Sequence, residues 1–350
     1  MLYLLITFLG KNDFLNSKRN KILILTISLV LLIPVSLLAL TIGRYQLLIT
    51  DVYQAIVNPQ TNPLITNLIF NVRLPRIFGA LLIGAALSMA GLVFQDIFAN
   101  NLVSPDLLGV ANGASVGAGL AIILGLSLWT MQLWAFIGGI IAVSLTLAIP
   151  YLLKNNTRLI LLLAGIVVSG FMQAIFGLIK YLADPDSQLQ SIVYWQLGSL
   201  TKIDLKNITL ILPAFLLAFL ILLVLRWHLT ILSLGDQSAE TSGINVRAER
   251  LLFIICATIL TASSVCLAGT IGWIGLIIPH LARHLIGGNS RYSLSMAGII
   301  GAYFLLVIDT LARTISNAEI PLSILTGFIG TPIFIYILVK KGGKNGTVNN

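Results

Sequence analysis

The chain of 350 residues is 57% hydrophobic and only 9% charged, with a mean hydropathy of +0.99. Soluble domains carry roughly 25% charged residues, so this composition excludes an ordinary water-soluble protein and indicates a polytopic membrane protein. The 21 Lys and Arg residues exceed the 12 Asp and Glu residues, which leaves a net charge of +9. In so apolar a chain, an excess of basic residues is typical of loops that face the cytoplasmic side of a membrane. No nucleic-acid partner is therefore expected.

Apolar runs separated by polar or Gly- and Pro-rich breaks predict about ten transmembrane helices, because one bilayer crossing takes about 20 apolar residues. We expect a cytoplasmic N-terminal segment at 1–21, a membrane domain at 22–339 and a cytoplasmic tail at 340–350. The predicted spans are 22–42, 77–97, 107–127, 133–153, 159–182, 207–227, 251–270, 273–286, 293–313 and 322–339. No Gly-x-x-x-x-Gly-Lys-Ser/Thr phosphate-binding loop occurs in the sequence. The chain itself is therefore not expected to be an enzyme, and any ATP hydrolysis would belong to a separate subunit.

The basic residues predict which side of the membrane each loop faces. With the N-terminus inside, 14 of the 21 Lys and Arg residues fall on the cytoplasmic side. Cytoplasmic loops carry such an excess, and an even number of spans returns the chain to the same side, so both termini are predicted to be cytoplasmic. The outer basic residues are Arg44, Arg73, Arg76, Lys180, Lys202, Lys206 and Arg313.

Two arginines, Arg73 and Arg76, stand at the outer mouth of the second predicted span, and Arg313 ends the ninth span on the same side. One interpretation is that these long side chains snorkel and anchor helix ends. The other is that exposed outer guanidinium groups receive carboxylates of an acidic partner, since arginine binds carboxylates in a bidentate manner. The residues alone leave both interpretations open.

Small residues predict where helices pack closely. Gly109, Gly113 and Gly117 recur at i, i+4 and i+8, and Gly84 and Gly91 cluster in the second span. Small residues on one helix face let two backbones approach in a bilayer. We expect these faces to be helix contacts rather than points of flexibility.

The longest cytoplasmic connection, 228–250, contains a stretch that Gly235 and Gly243 bracket. Asp236 is predicted to cap a short helix there, and Gly243 to supply the left-handed residue that ends it. A helix this short is marginal by itself, so it needs a surface to dock on. Either the inner surface of the chain or a cytoplasmic partner would serve.

The sequence gives little support for a metal site, a cofactor or proton-driven transport. His280 and His284 stand one helical turn apart, but no carboxylate or cysteine lies near them in sequence, so no metal site and no cofactor are expected. Asp96, Asp106 and Asp309 are the only candidates for an intramembrane proton relay. Their scarcity argues against an ion-gradient-driven secondary transporter, the alternative from a different class.

Short motifs follow one another in order from residue 73 to residue 332. The first half has Arg-Leu-Pro-Arg at 73–76, Gly-Ala-Ala-Leu-Ser-Met-Ala-Gly at 84–91 and Ser-Pro-Asp-Leu-Leu-Gly at 104–109. The second half has Gly-Thr-Ile-Gly-Trp-Ile-Gly-Leu-Ile-Ile-Pro-His-Leu-Ala-Arg at 269–283, Asp-Thr-Leu-Ala-Arg at 309–313, Glu-Ile-Pro at 319–321 and Gly-Thr-Pro at 330–332. This series resembles the FecCD family of ABC importer permeases. Asn101 departs from the family pattern, which has proline at that position.

The resemblance implies the fold of the vitamin B12 importer permease, an all-α membrane protein in which each subunit has ten helices. It implies a second permease subunit, identical or homologous, two cytoplasmic ATP-binding subunits, and an extracytoplasmic substrate-binding protein such as a lipoprotein, all at the plasma membrane of a bacterium. Glutamates of the binding protein would meet Arg73, Arg76 and Arg313. The implied substrate is an iron-siderophore or related iron complex, with heme, cobalamin and molybdate as alternatives.

The resemblance also assigns roles to the inner loop and to two spans. The stretch 232–246 resembles the coupling helices of the family, which sit in a groove of the ATPase. The fifth and tenth spans are expected to line the path, and Met172, Gln173 and Phe176 are predicted to share one face of the fifth. The residues expected to couple to the ATPase are Leu232, Leu234, Gly235, Asp236, Ala239, Glu240 and Gly243.

Overall fold

The computed structural model describes residues 17–155, 157–316 and 318–345, and in these ranges the chain contains helices and no strand. Most of the predicted cytoplasmic segment 1–21 and the last five residues of the tail 340–350 lie outside the described residues. In chain order the α-helices are α1 Lys18–Thr41, α2 Ile49–Val57, α3 Pro63–Asn67, α4 Leu74–Ile97, α5 Val110–Ile123, α6 Leu128–Leu152, α7 Arg158–Leu182, α8 Gln188–Gln196, α9 Leu205–Val224, α10 Arg226–Ser233, α11 Asp236–Thr241, α12 Val246–Ala268, α13 Ile274–Ile286, α14 Ser290–Ala312 and α15 Leu322–Asn345.

The ten predicted spans correspond to α1, α4, α5, α6, α7, α9, α12, α13, α14 and α15. Seven described helices are long and apolar enough to cross a bilayer, and one of these is the continuous helix Pro63–Ile97, in which a π-helical turn joins α3 to α4. Three shorter apolar helices, Val110–Ile123, Ile274–Ile286 and Leu322–Ile337, complete the ten. The sequence did not predict the short helices α2, α3, α8 and α10.

Two of the spans are only partly helical. At about 1.5 Å per residue, α5 and α13 rise about 20 Å, which is less than the roughly 30 Å of a hydrocarbon core. Irregular segments, 98–109 and 269–273, precede them. Such backbone is tolerated at membrane depth where protein surrounds it. Accordingly, the carbonyl of Ala268 accepts a hydrogen bond from the Ser199 amide at 2.8 Å, and the Thr270 hydroxyl donates to the carbonyl of Gln196 at 2.5 Å.

Glycine contacts hold the central helices together. A Cβ added to Gly84 of α4 would fall on the backbone carbonyl of Gly301 in α14, and one added to Gly113 of α5 would fall on that of Gly138 in α6. The predicted contact faces are thereby confirmed at these positions. Gly109 differs, because it lies before α5 with φ +82° and supplies a left-handed turn rather than a helix face.

The helices differ in how deeply they lie within the subunit. In the most apolar 18-residue stretches of Pro63–Ile97 and of α12, 78% of the residues are buried within the protein. In the corresponding stretch of α1 only 11% are buried. Therefore α4 and α12 form the centre of the subunit and α1 lies at its edge.

Candidate functional site

An ion-pair cluster lies at the predicted outer end of the central helices. One guanidinium nitrogen of Arg76 lies 2.8 Å from a carboxylate oxygen of Asp309 on α14, and another lies 2.8 Å from Glu319, which stands just before α15. The side chains of Arg76 and Asp309 are buried, while that of Glu319 is partly open. The cluster therefore joins α4, α14 and the connection to α15.

The other two arginines of the predicted docking set, Arg73 and Arg313, also form hydrogen bonds within the chain. Arg73 donates hydrogen bonds to the carbonyls of Leu40 and Tyr45, and Arg313 donates to that of Ala39 at 2.5 Å. Carbonyls at the end of a helix have no partner within it, so they accept such bonds readily.

These contacts correct one part of the sequence interpretation. One of the two interpretations required exposed guanidinium groups, but Arg73, Arg76 and Arg313 are only 3%, 4% and 5% exposed. Arg73 and Arg313 contact carbonyls at the end of α1 and that of Tyr45, and Arg76 contacts the two carboxylates. A docking role for them stays a prediction, and it would require that a partner displace an internal contact.

A second polar cluster lies at the opposite, predicted inner ends of α4, α13 and α14. Arg283 of α13 pairs with Asp96 of α4 at 2.8 Å and also donates to the amide oxygen of Gln95 at 2.5 Å. The hydroxyl of Ser290, at the start of α14, donates to the second Asp96 oxygen at 2.6 Å. Asp96 and Asp309 thus both face arginines, which supports a structural role for these acids rather than a proton relay.

Asn101 extends the inner cluster into the irregular segment before α5. Its side-chain oxygen accepts a hydrogen bond from Arg283 at 3.2 Å, and its backbone carbonyl lies 2.9 Å from the Nε2 atom of His280. The side-chain bond is one that the proline of the family pattern lacks. His280 therefore contacts this segment.

Asp236 joins the predicted cytoplasmic segment 228–250 to the starts of two spans, α7 and α12. Its carboxylate accepts hydrogen bonds from Arg158 at the start of α7, at 2.5 Å, and from Arg250 near the start of α12, at 2.7 Å. Partial burial raises the pKa of Asp236, but the hydrogen bonds and charges of Arg250 and Arg158 outweigh this effect and hold the pKa below its ordinary value. The carboxylate is therefore ionised at neutral pH, and α11 is tied to two spans.

The ends of α11 agree only in part with the sequence. Gly243 has φ +78° and, as predicted, ends the helix, because its amide bonds to the carbonyl of Glu240 at 2.9 Å while the Ile244 amide bonds to that of Ala239 at 3.0 Å. The capping role predicted for Asp236 is wrong. Gly235 occupies the N-cap position and Asp236 is the first helical residue, with its side chain turned to the arginines.

The predicted coupling residues divide between two faces. Leu232 and Ala239 are buried within the chain, so they support the segment from beneath and leave no side-chain surface for a partner. Leu234 is 71% exposed, and Glu240 and Gly243 are also exposed. Both docking surfaces considered from the sequence are therefore available, because one face rests on the protein and the other is open.

Sequence reasoning missed the side chains that hold this segment. Besides Arg158 and Arg250, His228 of α10 lies 2.7 Å from Glu249 of α12. Opposite charges on the same predicted side of the membrane were the available signal, but partners 78 residues apart along the chain, such as Arg158 and Asp236, cannot be chosen from that signal alone.

The three predicted path residues do not share a face of α7. Met172 and Phe176 are buried within the subunit, whereas Gln173 is exposed. Neighbouring residues in a helix point about 100° apart, so burial of Met172 and Phe176 turns Gln173 outward. The exposed face also carries Gly170 and Gly177, where an added Cβ would meet nothing within 4 Å.

Comparisons with known proteins agree with this architecture. A family model described as the FecCD transport family matches residues 29–340. The molybdate import system permease protein MolB of Haemophilus influenzae is 38% identical over 321 residues, which cover 90% of this chain and 95% of that protein. A permease assigned to an iron chelatin transport system of Helicobacter pylori is 40% identical over 276 residues, which cover 79% of this chain and 83% of that protein.

A solved structure gives the same result. It is an inward-facing conformation of an ABC transporter assigned to the metal-chelate type, and its chain superposes with a TM-score of 0.82 at 38% identity. The match covers 91% of this chain and 99% of the other.

Proposed function

Because this chain belongs to the FecCD transport family and is a permease of the ABC importer type, we propose that it translocates an iron chelate, such as an iron-siderophore complex, by ATP-driven alternating access. It would pair with an identical or homologous permease, with two cytoplasmic ATP-binding subunits and with an extracytoplasmic substrate-binding protein. The assembly would work in the plasma membrane of a bacterium, and this chain would perform no covalent chemistry.

The arrangement around Asp236 carries the proposal of ATP-driven motion. A force applied to the exposed side of α11 would be transmitted to α7 through the Asp236–Arg158 ion pair and to α12 through the Asp236–Arg250 ion pair. Both helices begin at this inner surface and cross the membrane, so a displacement of α11 would move two spans together. An ATPase would contact the open face of the segment, at Leu234, Glu240 and Gly243.

The exposed face of α7 favours the proposal that the substrate is large. Gly170 and Gly177 have open space beside them, and Gln173 adds an uncharged amide. If this face lines the path, it leaves room for a bulky complex and holds it with no full charge. Of the three predicted path residues, only Gln173 would then contact the substrate.

Molybdate is a second candidate substrate, because a molybdate permease is 38% identical over 90% of this chain. A small oxyanion would favour a cation along the path. Lys180, which lies over the ring of Phe176 at 4.8 Å, is the only lysine or arginine of α7 near its outer end.

Transport in proteoliposomes tests the proposal. The chain is reconstituted with the ATP-binding subunit and the binding protein of its own transport system, and uptake of a radiolabelled ferric siderophore is compared with uptake of molybdate. We expect ATP-dependent uptake of the iron complex that vanadate blocks. Molybdate uptake alone would overturn the substrate, and uptake that resists vanadate but stops with an ionophore would indicate a gradient-driven transporter.

The ion-pair cluster suggests how a binding protein would dock. Glu319 is the more exposed of the two carboxylates on Arg76, with a side chain 22% exposed against 0% for Asp309. A glutamate of the binding protein would therefore replace Glu319 on Arg76 while Asp309 stays in place. Since Glu319 lies just before α15, this exchange would release the outer end of a helix that is expected to line the path.

A further inference from the structure

The short helix α2 follows α1 at the outer side and presents three different faces. Ile49, Tyr53 and Ile56 recur at i, i+4 and i+7 and are 73%, 67% and 57% exposed. Val52 and Ala55, on the next face, are buried against the protein. One apolar face of the helix is therefore covered by the chain and another is open.

The third face of α2 is polar and lies opposite the open apolar one. At 100° per residue, Asp51, Gln54 and Asn58 fall roughly 130–170° from the centre of the face formed by Ile49, Tyr53 and Ile56. These three polar residues line a small surface cavity together with Asn62. A helix with apolar and polar faces on opposite sides has the pattern of one that lies along a membrane surface.

The position of α2 agrees with this orientation. The amide of Leu47 bonds to the carbonyl of Thr41, the last residue of α1, at 3.1 Å, and the carbonyl of Tyr45 accepts a hydrogen bond from Arg73, next to the start of α4. The chain therefore turns back at the predicted outer end of two spans, and α2 begins next to it.

Further exposed apolar residues precede the open face of α2 along the chain. Leu37 and Leu38, in the last turn of α1, are exposed, as are Ile42 and Leu48 in the connection to α2. The one charged residue of this connection, Arg44, donates a hydrogen bond to the carbonyl of Ser316 at 3.5 Å. The exposed apolar residues also include Tyr53. Tyrosine is enriched at the boundary between membrane and water, where its ring is apolar and its hydroxyl is hydrated.

We propose that α2 lies in the outer lipid interface, with Ile49, Tyr53 and Ile56 in the acyl region and Asp51, Gln54 and Asn58 facing water. The partner of this face is the phospholipid surface itself. Through Tyr45 and Arg73 the helix then anchors the outer end of α4 to the membrane. The inference depends only on the membrane topology, so it does not require the proposed substrate or its ATPase.

Spin labels with matched positions test this inference. Single cysteines replace Tyr53 and, as the control on the polar face, Gln54, in full-length chain whose buried Cys256 and Cys266 have been exchanged for alanine. In liposomes, collisions with oxygen, which concentrates in lipid, are compared with collisions with a nickel chelate, which stays in water. We expect the ratio of oxygen to nickel collisions to be several-fold higher at position 53 than at position 54.

Two outcomes would overturn the proposal. Equal and frequent nickel collisions at both positions would show that the Tyr53 face is hydrated and open to a protein partner. Exclusion of both reagents from position 53 would show that protein, such as a second copy of the chain, covers it. A label at Ile56 provides a second site if the Tyr53 variant does not fold, and it should give the same result as position 53.

Discussion

Arg76 of α4 and Asp309 of α14 form an ion pair 2.8 Å long in which the side chains are 5% and 0% exposed. The two residues are 233 positions apart in the chain, so the pair joins its two halves. A buried charge that loses its partner is costly, whereas a buried pair as a whole adds little net stability. The two residues should therefore behave as one unit.

A double-mutant cycle measures this coupling. We expect Arg76→Ala to lower the free energy of unfolding by about 3–5 kcal/mol, because it leaves the buried carboxylate of Asp309 with the more distant Arg313, at 3.7 Å. Asp309→Ala should cost less, because Arg76 keeps its ion pair with Glu319. The double variant should lose clearly less than the sum, as measured by denaturant unfolding in detergent. Additive losses would show that the two charges do not depend on each other.

Glu319→Gln separates docking from folding. The substitution keeps the size of the side chain but removes the charge that occupies Arg76, so a carboxylate of the binding protein would meet less competition. We expect the affinity of the binding protein for the reconstituted transporter to rise several-fold, as measured by surface plasmon resonance. An unchanged affinity, with normal folding, would contradict the idea that the binding protein replaces Glu319.

Hydropathy predicted the ten spans because membrane crossings depend on local composition, which a sequence contains directly. The contacts that form the two polar clusters do not depend on local composition. Arg76 was selected as an unusual charge on the predicted outer side, but its burial could not be seen, since Asp309 and Glu319 reach it only through folding. Likewise, the helical repeat fixes the angle between Met172 and Gln173 without telling which of them faces the protein.

Asp236→Ala should uncouple α11 from the spans. The variant removes the acceptor for Arg158 and Arg250, whereas Glu240→Ala, on the same short helix, removes an exposed carboxylate. Because these pairs are partly exposed, we expect a small loss of stability, about 1 kcal/mol or less after solvent screening. ATP-driven uptake in proteoliposomes should fall several-fold with Asp236→Ala.

The control in this comparison is informative in itself. Glu240→Ala should leave the connection to α7 and α12 intact, so its effect is limited to contact with the ATPase. Cysteines at Leu234 and Thr241, which are exposed, should crosslink to an ATPase, but one at Ala239 should not, since that position is buried. Normal uptake by the Asp236→Ala variant would exclude this linkage as the coupling route.

Cysteine labelling tests which face of α7 meets the path. With the native cysteines removed, we expect a cysteine at Gln173 to react with a water-soluble thiol reagent in the assembled importer in at least one of its two conformations. A cysteine at Met172 should stay unreactive, because that side chain packs within the subunit. A Gln173 position that is closed to the reagent in both outward- and inward-open states would place this face against lipid or protein.

Substitution by alanine is expected to have opposite effects on stability at Gly91 and at Gly177. A Cβ at Gly91 of α4 would fall on the backbone carbonyl of Gly275 in α13, whereas one at Gly177 of α7 would meet no atom within 4 Å. Backbone cannot rotate away as a side chain can, so Gly91→Ala must push α13 from α4. Overpacking of this kind costs about 1–3 kcal/mol. Gly177→Ala should instead stabilise its helix by up to about 1 kcal/mol, because alanine has the higher helix propensity.

Thermal unfolding in detergent should therefore give a lower midpoint for Gly91→Ala than for the parent chain, and an equal or higher midpoint for Gly177→Ala. The displacement of α13 also strains the bond between Arg283 and Asp96, which lies further along the same two helices. Hydrogen exchange in residues 98–104 should consequently be faster in Gly91→Ala, since Asn101 is bonded to Arg283 and His280. Equal midpoints for the two variants would mean that α4 and α13 are not in backbone contact.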